Sequence, residues 1–303
     1  MSSNASEELD HVDPAVLVSL SSVLIVVAAL TTVGNIMIIF LVFKTPSLQK
    51  PAFVLTANIT LADLLFSIFG LPQYIAALLT QSRVPPFGTA SCYIQVYASN
   101  APLAATVYFM AGTAVFRMIN VCYPVKCIHI CARKWMIAFC LMFWTVPFAV
   151  CAAFDKGVEY DRFKYVCVFS SPGYLYGFVV IVVMPAFIVM PIAYGKVLYF
   201  IRQSRRRIEA HGTASVGAVN IQKDRHVFKL VLTIMLIFIV SIIIPNVFYS
   251  LSRACESCSK STTELLGAWL VRLRPTVNFI AIMITCSFLR DIFCTQVSFC
   301  CKR

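Results

Sequence analysis

Residues 14–43 read PAVLVSLSSVLIVVAALTTVGNIMIIFLVF, a stretch without a single Lys, Arg, Asp or Glu. About 20 apolar residues cross the hydrocarbon core of a bilayer, so this stretch is long enough to span one. Inside lipid every backbone polar group must be paired, which leaves only a helix or a strand of a closed barrel. Because the stretch does not alternate as a barrel strand does, it predicts a transmembrane helix.

Six further runs of the same kind follow along the chain. They cover residues 51–82, 84–116, 135–154, 165–195, 230–252 and 265–289. Four of them are uncharged, whereas 51–82 holds Asp63 and 265–289 holds Arg272 and Arg274. The chain as a whole is 60% hydrophobic and only 13% charged, compared with roughly 25% charged in soluble domains. This composition excludes a water-soluble protein.

The spans account for most of the chain and leave only short loops. We therefore predict an all-α membrane protein, a seven-transmembrane helix bundle with a short amphipathic helix after the seventh span. It forms a single domain over residues 1–303. Residues 1–13 are the extracellular N-terminus, 14–289 the helix bundle and 290–303 the cytoplasmic tail. The N-terminus lacks the pattern of a cleaved signal peptide.

The basic residues give the orientation. The loops after spans one, three and five, with the C-terminus, hold 17 Lys and Arg against three acids, and the other side holds six against nine. By the positive-inside rule the N-terminus is extracellular and the C-terminus cytoplasmic. The formal charge of +12 therefore faces anionic lipid of the bilayer rather than nucleic acid.

The same map sorts the cysteines and the glycosylation sequons. Cys92 and Cys167 both face the oxidising side, where a bridge between them would be stable. Cys255 and Cys258 could form a local bridge; a zinc site would need two more ligands there, so we expect no metal. Asn4 lies in an extracellular sequon, whereas the sequon at Asn58 lies inside span two and is sterically unavailable. The inner cysteines are either palmitoylated or simply reduced thiols: Cys294, Cys300 and Cys301.

Motifs of one family occur in order along nearly the whole chain. They are Gly34-Asn35, Leu61-Ala62-Asp63-Leu64-Leu65, Cys92 with Arg117 25 residues later, Trp144, Pro191 with Tyr199, Pro245, and Asn278 before Phe288. On these residues the chain resembles the rhodopsin-like, class A, G-protein-coupled receptors. The resemblance implies a plasma-membrane receptor that binds an extracellular ligand and signals to a heterotrimeric G protein. Arg117 would contact the G protein and Tyr199 would support it.

Three motifs depart from the family pattern. Asp/Glu-Arg-Tyr becomes Phe116-Arg117-Met118, the Trp of Cys-Trp-x-Pro becomes Ile243, and the Tyr of Asn-Pro-x-x-Tyr becomes Ile282. Without an acid before Arg117, and with only Asp224 near enough on span six to replace it, we expect a loosely held resting state and ligand-independent signalling. The alternative is that the changes at 243 and 282 weaken the active state as well and leave the receptor silent.

The charges inside the membrane need partners, because an isolated carboxylate there costs several kcal/mol. The resemblance places a polar core around Asp63, built from Asn35, Thr106 and Asn278, that holds a sodium ion in many relatives. Arg274 lies one turn before Asn278, so we expect Arg274 to pair with Asp63 in place of the ion. The alternative is that Arg274 turns elsewhere and Asp63 is neutral.

Arg272 lies about 200° around the helix from Arg274 and must face a different site. The resemblance puts it at the floor of a ligand pocket with Gln73, Ser99, Asn100 and Asn246. A cation there favours an anionic or carboxylate-bearing ligand. The alternative is an internal hydrogen-bond network with backbone carbonyls freed by Pro72 or Pro102. In the resemblance Arg272 also replaces the retinal-binding lysine of opsins, and Ser99 replaces the aspartate that binds amines.

Three classes of function were weighed. A transporter or channel often shows paired halves and several intramembrane acids, whereas this chain has an odd number of spans and one acid. An intramembrane enzyme lacks its parts, since all four histidines lie outside the predicted spans, so we expect neither an enzyme nor a cofactor. A receptor fits best, and Cys122-Tyr123-Pro124 keeps an olfactory-like, chemosensory receptor open as an alternative.

Overall fold

The structure, a computed structural model, describes residues 12–130, 132–153, 155–170, 179–211, 260–285 and 290–295, with the single residues 173, 177 and 236. Within these residues six helical stretches are long and apolar enough to cross a membrane. The predicted sixth span, 230–252, lies outside the described residues apart from residue 236.

Nine helices in the described residues build the bundle. They are α1 (Pro14–Lys44), α2 (Pro51–Leu65), α3 (Leu71–Thr80), α4 (Gly88–Cys122), α5 (Pro124–Ile130), α6 (Arg133–Ala153), α7 (Met184–His211), α8 (Lys260–Arg272) and α9 (Arg274–Thr285). Helices α2 and α3 together form the second span, and α8 and α9 form the seventh. Residues 290–295 are also helical; Ile292 and Phe293 pack on the bundle while Cys294 is exposed, as expected for a short amphipathic helix.

Prolines explain where the spans deviate from regular α-helix. A proline has no N–H to donate to the carbonyl four residues earlier, so the ladder must adjust just before it. A π-helical turn at Phe66–Gly70 precedes Pro72, and a second one at Val179–Val183 precedes Pro185. Pro275 has the largest effect, because the seventh span breaks into α8 and α9 at Leu273.

Helix α4 is the centre of the bundle. Of its 18 most apolar consecutive residues 67% are buried inside the protein, compared with 22% for the corresponding part of α6. Helices approach closely where glycine removes the side chain: a Cβ at Gly112 would lie 2.5 Å from the Phe143 ring, and one at Gly34 would overlap the Phe279 ring. The two glycines therefore fix α4 against α6 and α1 against α9.

A two-stranded hairpin between α6 and α7 is the one departure from the all-α prediction in the described residues. Strands β1 (Val158–Asp161) and β2 (Val166–Phe169) are antiparallel and pair Tyr160 with Cys167. The uncharged run 165–195 was predicted as one span, but it begins with β2, and helix resumes only after it. The physical reason is the predicted disulfide, which the structure confirms: Cys167 is bonded to Cys92 at the start of α4. We call this end of the bundle the hairpin side.

Candidate functional site

A buried ion pair lies at the middle of the bundle. The Arg274 Nη1 atom is 3.6 Å from Asp63 Oδ1, and the two side chains are 2% and 0% exposed. The Asn278 amide donates to the other carboxylate oxygen at 3.1 Å, while the Arg274 guanidinium also lies near the Phe66 ring. Asp63 Oδ1 and Arg274 Nη1 make no hydrogen bond to any described residue. The pair is therefore held by Coulomb attraction at slightly more than hydrogen-bond distance.

The other predicted members of the polar core are less directly involved. Thr106 is fully buried, but its hydroxyl donates to the Pro102 carbonyl of its own helix at 3.0 Å. Asn35 is fully buried, and its side-chain amide has no hydrogen-bond partner among the described residues. The structure therefore brings Asp63, Arg274 and Asn278 together, whereas Asn35 and Thr106 make no hydrogen bond to the pair.

Arg272 faces a different environment across the break at Leu273. It is 8% exposed, and its guanidinium carbon lies 3.8 Å from the centre of the Tyr74 ring. Its Nη1 donates to the Ala268 carbonyl of its own helix. The predicted alternative was a hydrogen bond to the backbone carbonyls that Pro72 or Pro102 leaves free. The ion pairs of the described residues include no carboxylate for Arg272. Arg272 is thus a buried cation without a counter-charge in this part of the chain.

The other predicted pocket residues that the structure describes contact residues other than Arg272. Gln73 donates to the Ser91 hydroxyl at 2.8 Å, the Ser99 hydroxyl lies beside Gly70, and Asn100 donates to the Val96 carbonyl of its own helix. Asn246 lies outside the described residues. Because Gln73 and Tyr74 are neighbours on α3, they point in different directions, Gln73 towards α4 and Tyr74 towards α8.

The hairpin is held over this end of the bundle by several contacts. The Cys167 amide donates to Gln95 at 2.9 Å, and Lys164 bridges Asp161 of the hairpin to Glu264 of α8, at 2.6 and 3.5 Å. The Tyr160 hydroxyl donates to the Ser82 carbonyl at 2.9 Å. Burial raises the pKa of the Tyr160 phenol above its usual range near 10. Tyr160 therefore remains a neutral donor at physiological pH.

The opposite side carries the residues predicted to meet a G protein. Arg117 lies near the end of α4 and within electrostatic reach of Tyr194, which is 5% exposed. Tyr199, the residue chosen from the sequence, is 69% exposed. Phe116 is buried and makes an edge contact with Phe139, so an apolar contact occupies the place of the family's acid.

The other predicted sites are cysteines and a glycosylation sequon. Five of these residues lie outside the described residues: Asn4, Cys255, Cys258, Cys300 and Cys301. Cys294 is an exposed free thiol. Cys127, which follows the third span, is also disulfide-bonded. The described residues contain no group of three metal-binding side chains.

Two contacts were missed in the sequence. Tyr74 stacks on Arg272 although nothing in its neighbourhood distinguishes it from other apolar positions of span two. Asn58, dismissed as a chance sequon, accepts a hydrogen bond from the Trp144 indole at 2.9 Å. Trp144 is one of the residues that carry the family resemblance. A buried Trp indole N–H needs an acceptor, and this need could have predicted a role for Asn58.

Comparisons with known proteins agree with this architecture. The family description "7 transmembrane receptor (rhodopsin family)" matches residues 34–280. Human olfactory receptor 4K17 is 26% identical over 41% of this chain and 42% of its own length. Mouse melatonin receptor type 1B is 24% identical over 65% of this chain and 55% of its own. The chain therefore spans about half the length of these curated relatives.

The crystal structure of squid rhodopsin superposes with a TM-score of 0.81, covering 96% of this chain and 84% of that one at 16% identity. This similarity shows a shared seven-helix fold. The family is a class of receptors rather than of enzymes, and its members pass through the membrane several times. Since the family description matches most of the sequence, the chain belongs to the rhodopsin family of seven-transmembrane receptors.

Proposed function

We propose that the chain is a G-protein-coupled receptor of the plasma membrane, one domain over residues 1–303. Its N-terminus and hairpin side face outwards and its C-terminus faces the cytoplasm. The observation that carries the proposal is the family match over residues 34–280. The charge asymmetry of the loops supports the orientation. The same match favours a receptor over a transporter or channel.

The ligand is proposed to be anionic, because Arg272 is a buried cation for which the described residues supply no carboxylate. Burying an uncompensated charge is costly, and an incoming carboxylate would pair with the guanidinium through two parallel hydrogen bonds. Ser99 replaces the acid that a cationic amine would need. Gln73, Ser99 and Asn100 remain part of the proposed pocket on the α4 side, and Asn246 completes it.

The signal is proposed to pass through the seventh span. Arg272 and Arg274 flank the break at Leu273, so a shift of the ligand-side guanidinium moves the start of α9. Asp63 and Arg274 are separated by 3.6 Å without a direct hydrogen bond, which leaves the pair free to adopt a second geometry. A ligand with different affinity for the two geometries shifts their populations.

On the cytoplasmic side, Arg117 and Tyr199 are proposed to contact a heterotrimeric G protein. Tyr194 is added to this group because it lies close to Arg117 in the bundle. Glycosylation of Asn4, a bridge between Cys255 and Cys258, and palmitoylation remain proposals for the termini and loops. The palmitoylation candidates are Cys294, Cys300 and Cys301.

A second-messenger screen against pooled small molecules and peptides tests the function. The wild-type chain is compared with Arg117→Ala and Arg272→Gln at matched surface expression, with the exposed Arg162→Gln as control. We expect Arg117→Ala to lose every response, Arg272→Gln to lose the responses to anions, and Arg162→Gln to lose neither. Responses to anions that survive in Arg272→Gln contradict the assignment of the ligand's counter-charge.

A chemosensory role is the second candidate, supported by the similarity to olfactory receptor 4K17 and by Cys122-Tyr123-Pro124. Including volatile organic acids in the same screen separates the two. Activation by several unrelated volatile acids, without a response to the non-volatile ligands, favours the chemosensory receptor.

A further inference from the structure

Arg272 and Tyr74 bring a buried cation and a buried hydroxyl together, and we call this pair the anion site. The Tyr74 side chain is 0% exposed, and its hydroxyl makes no hydrogen bond to any described residue. The Arg272 guanidinium stacks on the same ring. The Tyr74 hydroxyl is therefore a buried polar group without a partner, and the Arg272 charge has no carboxylate among the described residues. Both cost free energy until an anion arrives.

The hairpin side gives an anion from water little access to this site. Strand β2 is fixed by the disulfide at Cys167, and its first residue, Val166, packs in one apolar cluster with Tyr74 and Leu265. The Lys164 bridge to Glu264 then ties the hairpin to α8. A ligand that arrived from this direction would have to displace the hairpin.

A cleft of about 340 Å³ opens instead on the lipid-facing side, between α1 and α8. Its lining consists of Ala15, Val16, Ser19, Leu20, Val23 and Trp269. The Ser19 hydroxyl donates to the Ala15 carbonyl, and the Trp269 indole donates to the Leu20 carbonyl. The polar side-chain atoms of the lining are therefore satisfied, and the cleft suits an apolar chain of the size range of bound ligands.

The anion site and the cleft lie along the same turn of α8. Trp269 lies one helical turn before Arg272 on α8. The Arg272 side chain reaches back along α8 to the Ala268 carbonyl, next to Trp269. Leu20 and Trp269 pack against the same apolar cluster that contains Tyr74. A molecule with an anionic head and one apolar tail could thus occupy both at once.

We propose that this chain binds a long-chain carboxylate, which enters from the bilayer between α1 and α8 and places its head within reach of both the Arg272 guanidinium and the Tyr74 hydroxyl. The inference rests on the proposed function in taking Arg272 as the ligand's counter-charge, and it adds the ligand class and the route. A carboxylate is preferred to a phosphate monoester because the site offers one guanidinium. A doubly charged head would need a second cation.

The test is photo-crosslinking of the full chain in phosphatidylcholine nanodiscs. The probe is palmitate with a diazirine at the end of its tail, and the labelled peptides are identified by mass spectrometry. Oleate, oleyl alcohol, butyrate and oleoyl lysophosphatidate are the competitors. They vary the charge, the tail and the head group separately.

We expect adducts on residues 15–23 or on Trp269, displaced by oleate. Oleyl alcohol and butyrate should each compete at least about tenfold less effectively than oleate, because each lacks half of the proposed contacts. Arg272→Gln should weaken competition by oleate about tenfold or more, and Tyr74→Phe by about threefold to tenfold. Arg272→Lys should retain most of it. Arg162→Gln is the matched control, since Arg162 also lies over an aromatic ring, that of Phe163, but is exposed.

Several results overturn the inference. Equal competition by oleyl alcohol shows an ordinary lipid tail in the cleft, better competition by lysophosphatidate shows a phosphate site, and adducts confined to α6 or α7 show another route. If Arg272→Gln fails to fold, the comparison of oleate with oleyl alcohol on the wild-type chain still decides. Binding is measured without a G protein. If no cross-linking is found although signalling depends on Arg272, only this inference is overturned. Specific cross-linking without any second-messenger response overturns only the proposed function.

Discussion

Removing one member of the Asp63–Arg274 pair should damage the protein more than removing both. At 3.6 Å and an effective dielectric constant near 20, the Coulomb attraction is about 4.6 kcal/mol. Asp63→Asn or Arg274→Gln alone leaves a buried charge without its partner, which typically costs about 3–5 kcal/mol. The double variant leaves two neutral amides, and we expect it to lie within about 1–2 kcal/mol of the wild type.

Thermal denaturation in detergent, followed by fluorescence-detected size exclusion, measures the effect. With about 2–4 °C per kcal/mol for a chain of this size class, a loss of about 3–5 kcal/mol in each single variant should lower the apparent Tm by about 6–20 °C. The exposed pair Arg290–Asp291, 3.8 Å apart, is the matched control. Its distance is similar, but solvent screening reduces its contribution to about 0–1 kcal/mol, so Arg290→Gln should change the Tm little.

Two results would refute the reasoning. The first is additivity, in which the double variant loses the sum of the single losses, because then the two side chains do not interact. The second is a wild-type Tm that rises in sodium chloride over choline chloride at equal ionic strength. Such a rise would mean that sodium, and not Arg274, neutralises Asp63.

Three further predictions concern the disulfide, the helix contacts and the resting state. Cys167→Ser should lose about 2–5 kcal/mol of stability and most surface expression, whereas Cys294→Ser, which removes an exposed free thiol, should lose neither; equal loss in both would contradict the role of the bridge. Gly112→Ala should cost about 1–3 kcal/mol of stability by overpacking. Gly195→Ala, with no atom within 4 Å of the new Cβ, should be neutral or stabilising by up to about 1 kcal/mol. An equal fall in Tm for the two variants would contradict this contrast. Phe116→Asp should lower ligand-independent second-messenger output relative to Phe116→Asn, which creates nearly the same void in the buried contact without the charge; equal output from the two means that an acid before Arg117 does not hold the resting state.

The spans and the disulfide could be predicted because they depend on composition and on chain order. Uncharged runs located α1 and α6 to within a few residues, since lipid leaves a helix as the available backbone structure. The start of the fifth span could not be located in this way. The run from 165 is as apolar as a membrane span, but the bond between Cys167 and Cys92 holds its first residues in a strand outside the helix. Hydropathy alone carries no information on such a tertiary constraint.

The site was harder to predict than the fold, because it depends on which way side chains turn. Helical spacing separated Arg272 from Arg274 and placed Arg274 on the face of Asn278. It did not give the partner of Arg272, because Tyr74 belongs to another span and the π-helical turn at Phe66–Gly70 changes the rotation of α3 relative to α2. A regular helix through this region would assign the wrong face to every residue after the turn.

The two arginines of the seventh span show how one sequence feature can serve two purposes. Each is buried, each lies near an aromatic ring, and each is separated from the other only by Leu273. Arg274 has its carboxylate in the chain, so its charge is compensated before any ligand arrives, and its removal is expected to affect stability first. Arg272 has none among the described residues, and within them the Tyr74 hydroxyl also has no hydrogen-bond partner. A ligand carboxylate at Arg272 would supply what Asp63 supplies to Arg274, and because the break at Leu273 joins the two, binding at the first would act directly on the geometry of the second.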